Sequence, residues 1–232
     1  MEDKKEEEKR STELARVISY NADIDSLEEL NKAIQESYLP CREFFGEDVE
    51  GIGVEFLYTR DEMDKIRGEK TQDWVVGCSR NKRTVTIFSP SVFDKVSPHP
   101  ASDFLPVLAH EIAHVFEGVL FNLKYPRWLS EGLAGYIAQQ YKLRVPDTKK
   151  IQDFSQIHDG NGWDKTNPYS QAYSFTAYLI ENFGKEKMLN LLKSLTSTGH
   201  FDEFSGKFAE VYGQDFDVYQ ADWKKGLEAK NE

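Results

Sequence analysis

The stretch VLAHEIAHVF, Val107–Phe116, decides how this chain reads. His110 and His114 are four residues apart, so on a helix they stand one turn apart on the same face. Two imidazoles placed that way can grip one tetrahedral zinc. Glu111 then lies beside the fourth, open position, where a carboxylate can take a proton from water. The residues between the histidines, Ile112 and Ala113, are apolar, and so are the flanks. A helix buried on its other sides requires that pattern. The spacing predicts a metal-binding helix within 102–120. An accidental meeting of these residues is the competing reading, and the helical context argues against it in a chain with five histidines.

A zinc site needs a third protein ligand. WLSEGLAGY, Trp128–Tyr136, supplies Glu131 on a second expected helix over 128–141, seventeen residues after His114. Taken alone, Glu131 reads as a solvated helix glutamate. The two motifs together resemble the gluzincin superfamily of zinc metallopeptidases, in particular its M1 aminopeptidase-like or peptidase MA-like branch. That resemblance implies a zincin-like fold with Zn2+ as cofactor and His110, His114 and Glu131 as its ligands. It also implies peptide-bond hydrolysis by a metal-activated water, with Glu111 as general base. A third stretch, PYSQAYSFTAYLIENFG over 168–184, is similar to the segment whose tyrosine donates a hydrogen bond to the oxyanion, which falls here on Tyr169. Tyr173 and Tyr178 read as core aromatics at helical spacing. The likeness covers roughly residues 83–227 and almost nothing of residues 1–80.

Two departures shape the expected activity. M1 enzymes hold the substrate's free amine with acidic residues, one of them in a G-x-M-E-N motif, whereas no acidic residue lies between Trp74 and Phe93 here. An endopeptidase is therefore expected in place of an aminopeptidase. The strand Arg83–Phe88 falls where gluzincins keep the edge strand that pairs with an extended substrate. Thermolysin-like enzymes also keep an aspartate four residues after the third ligand, as partner to a ligand histidine. Gly135 stands there in this chain, so another group must orient that imidazole. The alternative to an enzyme is a latent or non-catalytic zinc-binding module acting in protein–protein interaction or regulation. An intact Glu111 argues against it, because the metal can be held without that residue.

Outward from these motifs the chain reads as α+β, with a small N-terminal mixed sheet lobe and a C-terminal helical lobe. Ser26 with Glu29 forms a capping box that opens a helix to about Tyr38, ended by Pro40. Gly53–Tyr58 alternates as a strand. Thr59 with Glu62 opens a short second helix that stops near Gly68. Trp74–Cys78 and Arg83–Phe88 read as strands joined by the polar turn Ser79–Lys82. Helices are expected at 102–120, 128–141, 169–183, 185–197, 201–212 and 215–229, with Gly184, Gly199 and Gly213 at their ends. Residues 1–20 read as a flexible arm that begins with the charge run MEDKKEEEKR. Residues 21–232 read as a single metallopeptidase domain, with sheet lobe and active-site helix over 21–120 and helical lobe over 121–232.

Composition narrows the partners. Against 29 Lys and Arg stand 40 Asp and Glu, a formal charge of −11 in 232 residues. Such a surface repels phosphate backbones and anionic lipid, so a peptide or protein substrate is expected, with neither nucleic acid nor membrane. No apolar run reaches the ~18–20 residues that span a bilayer. Cys41 and Cys78 form no CxxC pair and read as two free thiols. With no signal peptide visible at the charged start, the expected location is the cytoplasm.

Overall fold

A computed structural model describes residues 14–123, 125–195 and 200–230. The opening charge run and Gly199 lie outside the described residues. The chain is α+β and divides into two compact units, Met1–Val119 and Leu120–Glu232. None of the described helices is long and apolar enough to cross a membrane.

The first unit holds strands β1 (Ala15–Ser19), β2 (Ile52–Leu57), β3 (Gly77–Arg80) and β4 (Thr84–Phe88) in one sheet of order β1-β2-β4-β3. β1, β2 and β4 run parallel, and β3 closes the sheet antiparallel to β4. The central strands carry near-continuous apolar runs: Ile52, Val54, Phe56 and Leu57 of β2, and Val85, Ile87 and Phe88 of β4, are all buried. Strands covered on both faces need that composition.

Two details differ from the sequence expectation. β1 lies within residues 1–20, which read as an arm, because its pairing with β2 is a long-range contact that the five residues ARVIS do not announce. β4, expected as the free edge, has β2 on one side and β3 on the other, so the exposed edge beside it belongs to β3. Strand β3 itself begins three residues later than expected and turns at Asn81, whose φ is 48°. The loop before it is pinned by the Arg60 guanidinium, which donates to Val75 O at 2.7 Å, Gln72 O at 2.6 Å and Thr71 Oγ1 at 2.8 Å.

Helix α1 (Leu27–Phe45) starts at the Ser26–Glu29 capping box, as expected, but continues through Pro40 to a left-handed Gly46. A proline inside a helix costs about 3 kcal/mol through its missing N–H and its clash with the preceding turn. Beyond it, Cys41, Phe44 and Phe45 are all buried, and full burial of a phenylalanine contributes about 1.5–3 kcal/mol. The two phenylalanines together offset the proline, so the helix does not stop. α2 (Arg60–Arg67) keeps its Thr59–Glu62 capping box and ends at a left-handed Gly68. Helix α3 (Phe104–Leu120) follows a single 3-10 turn, Ala101–Asp103. Tyr38 and Phe45 of α1 meet Phe116 of α3 at ring-centroid distances of 5.2 and 5.4 Å. Ser37 Oγ and Cys41 Sγ donate to Leu105 O and Ala109 O. α1 thus fixes the helix that carries the histidines.

The second unit is helical: α4 (Arg127–Ile137), α5 (Gly160–Thr166), α6 (Tyr169–Phe183), α7 (Lys185–Ser194), α8 (Phe201–Tyr212) and α9 (Phe216–Lys230). The second expected helix ends at Ile137, and its last residues become a separate 3-10 turn, Gln140–Lys142. Trp128 is fully buried among Phe154, Phe175, Phe204 and Phe216, with ring centroids 4.7 to 5.6 Å away. α4 and α6 approach so closely that glycine is required twice. A Cβ on Gly132 would meet Thr176 Oγ1 and lie 2.7 Å from Ala172 O, and one on Gly135 would enter the Tyr173 ring. The carbonyl belongs to the backbone and cannot move aside.

Gly132→Ala is therefore expected to lower stability by about 1–3 kcal/mol, the usual cost of overpacking. Thermal unfolding followed by circular dichroism should show a melting temperature several degrees lower, since each kcal/mol is worth about 2–4 °C at this chain length. An unchanged midpoint would mean that the α4–α6 contact is looser than described.

Candidate metal site

The site begins with the packing of α3. Leu108, Ile112, Ala113, Val115 and Phe116 are buried, which leaves the helix no rotational freedom about its axis. His110 is buried and His114 half-buried. Their rings meet nearly perpendicular, at 86° and a centroid distance of 4.7 Å, with the two Nε2 atoms 3.0 Å apart. Two nitrogen lone pairs cannot face one another at that distance without a proton or a cation between them. Two nitrogens bound to one tetrahedral zinc at 2.0–2.1 Å stand about 3.3 Å apart. The observed separation thus suits a shared metal.

His114 has a second neighbour. Its Nδ1 lies 3.4 Å from Oε2 of Glu117, three residues further along α3, and the Glu117 side chain is only 2% exposed. Glu111 is half-buried and lies against β3: a Cβ on Gly77 would stand 3.2 Å from Glu111 Cγ. Glycine at 77 lets the edge of the sheet come up to this carboxylate.

In the second unit, Glu131 on α4 lies 3.5 Å from Arg127 Nε, one turn earlier, and the Arg127 guanidinium stacks over the Trp163 ring at 5.1 Å. Tyr169, at the start of α6, meets Trp163 edge-on at 5.0 Å. Burial first, then the charge of Glu131, raises the Tyr169 phenol above its ordinary pKa, so it keeps its proton and remains a donor.

One ligand atom from each of His110, His114 and Glu131 lies within 4.8 Å of the others, and this group could hold a metal ion. No cysteine belongs to it. Cys41 is buried with its Sγ toward Ser37 O and Ala109 O, and burial, followed by the Glu117 charge, pushes its thiol well above the ordinary value. Burial and then Glu111 raise Cys78 as well. Both cysteines are free thiols. Of the other acids, Glu117 faces His114, and Asp159 caps α5 by accepting from Gly162 N at 3.0 Å.

Glu117, Arg127 and Gly77 were not singled out as site residues by the motifs. For Glu117 a signal existed, a carboxylate three residues after the second histidine and so on its side of the helix. Arg127 carries a similar one, four residues before Glu131. Gly77 carries none, because its role depends on a contact between a strand and a helix.

No family model matches the chain, and no solved structure matches it. It is 25% identical over 134 residues to "Uncharacterized protein YhcO" of Bacillus subtilis (strain 168). The matched region is 53% of this chain and 41% of that protein, so the likeness spans well under half of the relative's length.

Purified chain should take up one divalent metal per molecule, and Glu131→Ala should weaken it. The loss should exceed the ~10–100-fold typical when only a partner behind a ligand is removed. Chelator competition measures this, and far-ultraviolet circular dichroism checks that the helices persist. Unchanged affinity in Glu131→Ala would remove Glu131 from the ligand set.

Proposed function

We propose that this chain is a zinc-dependent peptidase of the gluzincin kind, with a zincin-like fold, that cleaves internal bonds of extended or unfolded peptide segments. The observation that carries the reading is the pair of Nε2 atoms turned onto one another one helical turn apart, with a carboxylate from Glu131 in the same group. Two imidazoles and one carboxylate suit zinc and leave a coordination position open, as catalytic zinc sites do. Bound there, zinc supplies Lewis acidity and lowers the pKa of water toward neutrality.

The chain's own residues supply the remaining roles. Glu111 takes the proton of the attacking water and hands it to the departing amine nitrogen, acting as base and then as acid. Tyr169, protonated at neutral pH, donates a hydrogen bond to the oxygen that becomes negative as the carbonyl turns tetrahedral. The outward edge of β3 offers backbone N–H and C=O groups to an extended substrate, and Gly77 sets that edge beside Glu111. The absence of acidic residues from Trp74 to Phe93 leaves a free N-terminal ammonium without a counterion there. This supports cleavage inside a chain in preference to removal of terminal residues. Two free thiols fit a reducing compartment, in keeping with a cytoplasmic protein.

The test is a digest of an N-acetylated peptide library and its free-amine counterpart, with the parent chain and Glu111→Gln. The amide keeps the shape of Glu111 but accepts no proton, so zinc should remain while cleavage falls by at least ~10²-fold. Parent enzyme should cut both libraries equally at internal bonds. Zinc uptake with no turnover by the parent would leave a metal-binding module, and stepwise trimming of the free-amine library alone would make the chain an aminopeptidase.

A further inference from the structure

We infer that Glu117 is the positioning residue for His114: its carboxylate accepts the hydrogen bond from Nδ1–H and so turns the Nε2 lone pair toward the metal. The inference rests on the reading of His110 and His114 as zinc ligands. Histidine has two ring nitrogens and, when neutral, one proton to place on them. Nε2 of His114 faces His110 Nε2 at 3.0 Å, and Nδ1 faces Glu117 Oε2 at 3.4 Å. A proton held at Nδ1 by a carboxylate leaves the other nitrogen basic and the ring fixed in rotation, which is how partners behind a metal ligand act.

The surroundings of Glu117 point the same way. Apart from His110, the other buried residues of α3, among them Leu108, Ile112, Val115 and Phe116, are apolar, and Glu117 is the one acid among its buried residues. Burying a carboxylate costs stability unless its partners compensate, and a well-packed apolar residue serves a core at least as well. Asp25, the other buried acid among the described residues, has a plain structural use: it accepts from the hydroxyls of Ser89 and Ser91 and ties two loops together. Glu117 instead faces a ring nitrogen of the candidate site. Position 135, one turn after Glu131, is closed to a carboxylate, because the Tyr173 ring fills the space where its Cβ would go.

The test uses the full chain and two variants, Glu117→Gln and Glu117→Leu, with zinc affinity measured by chelator competition and melting measured without metal. Glutamine keeps a neutral acceptor and should weaken zinc by about tenfold, while leucine removes the acceptor and should weaken it by about 100-fold. The metal-free variants should melt no lower than the parent, since a buried charge has been removed. That combination, graded loss of metal without loss of fold, separates positioning from packing. If both variants bind zinc within about twofold of the parent, the assignment is overturned, whether or not they melt lower. If the parent itself takes up no zinc, the metal reading beneath the inference fails first, and the inference falls with it.

Discussion

The rest of the candidate site depends on a contact of 3.0 Å between the Nε2 atoms of His110 and His114. A four-residue interval on a helix brings two side chains to the same face, but it does not by itself point two ring nitrogens at one spot. That takes a helix which cannot rotate and rings which cannot swing. The first condition is met by apolar packing: Phe116 between Tyr38 and Phe45, Ala109 O receiving the Cys41 thiol, and Leu108 and Ile112 fully buried. For the second, the Glu117 carboxylate lies 3.4 Å from His114 Nδ1, where it can restrain that ring.

The same logic governs the neighbours of the two histidines. Glu111 is exposed enough to meet water, yet β3 lies against it because residue 77 has no side chain. Arg60, by donating to four groups of the loop over Thr71–Val75, fixes where that strand begins. In the helical unit, Gly132 and Gly135 let α4, the helix that bears Glu131, lie directly on α6. Each of these positions carries a small residue or a tethered side chain where a different one would crowd or release a neighbouring group. Sites of this type lose function through such displacements well before the fold is lost.

Much of this was legible in the sequence. The spacing of His110 and His114, the two capping boxes and the α+β order are local signals, each contained within a few residues of chain. The clearest misreadings were long-range matters. Pro40 should stop a helix, and does not, because Phe44 and Phe45 find a core beyond it. Strand β1 exists through its pairing with β2, and the true edge strand is decided by sheet order, which no stretch of five residues encodes. Gly135, visible in the sequence as a missing acid, is explained by the Tyr173 ring thirty-eight residues later. Which group orients the imidazole in place of an aspartate at 135 was not legible, because a carboxylate on a helix, as Glu117 is, reads as a solvated one until its burial is known.

The central claim is that His110, His114 and Glu131 hold one zinc with no help from sulfur. X-ray absorption at the zinc edge, on chain loaded with one equivalent of zinc, tests it directly. Two imidazole nitrogens and oxygen donors, all at about 2.0–2.2 Å, with the outer-ring scattering that histidine gives, are the expected shell. A sulfur at about 2.3 Å would bring Cys78 or Cys41 into the site and contradict the ligand set, and a shell of oxygens with no imidazole signal would contradict the site altogether.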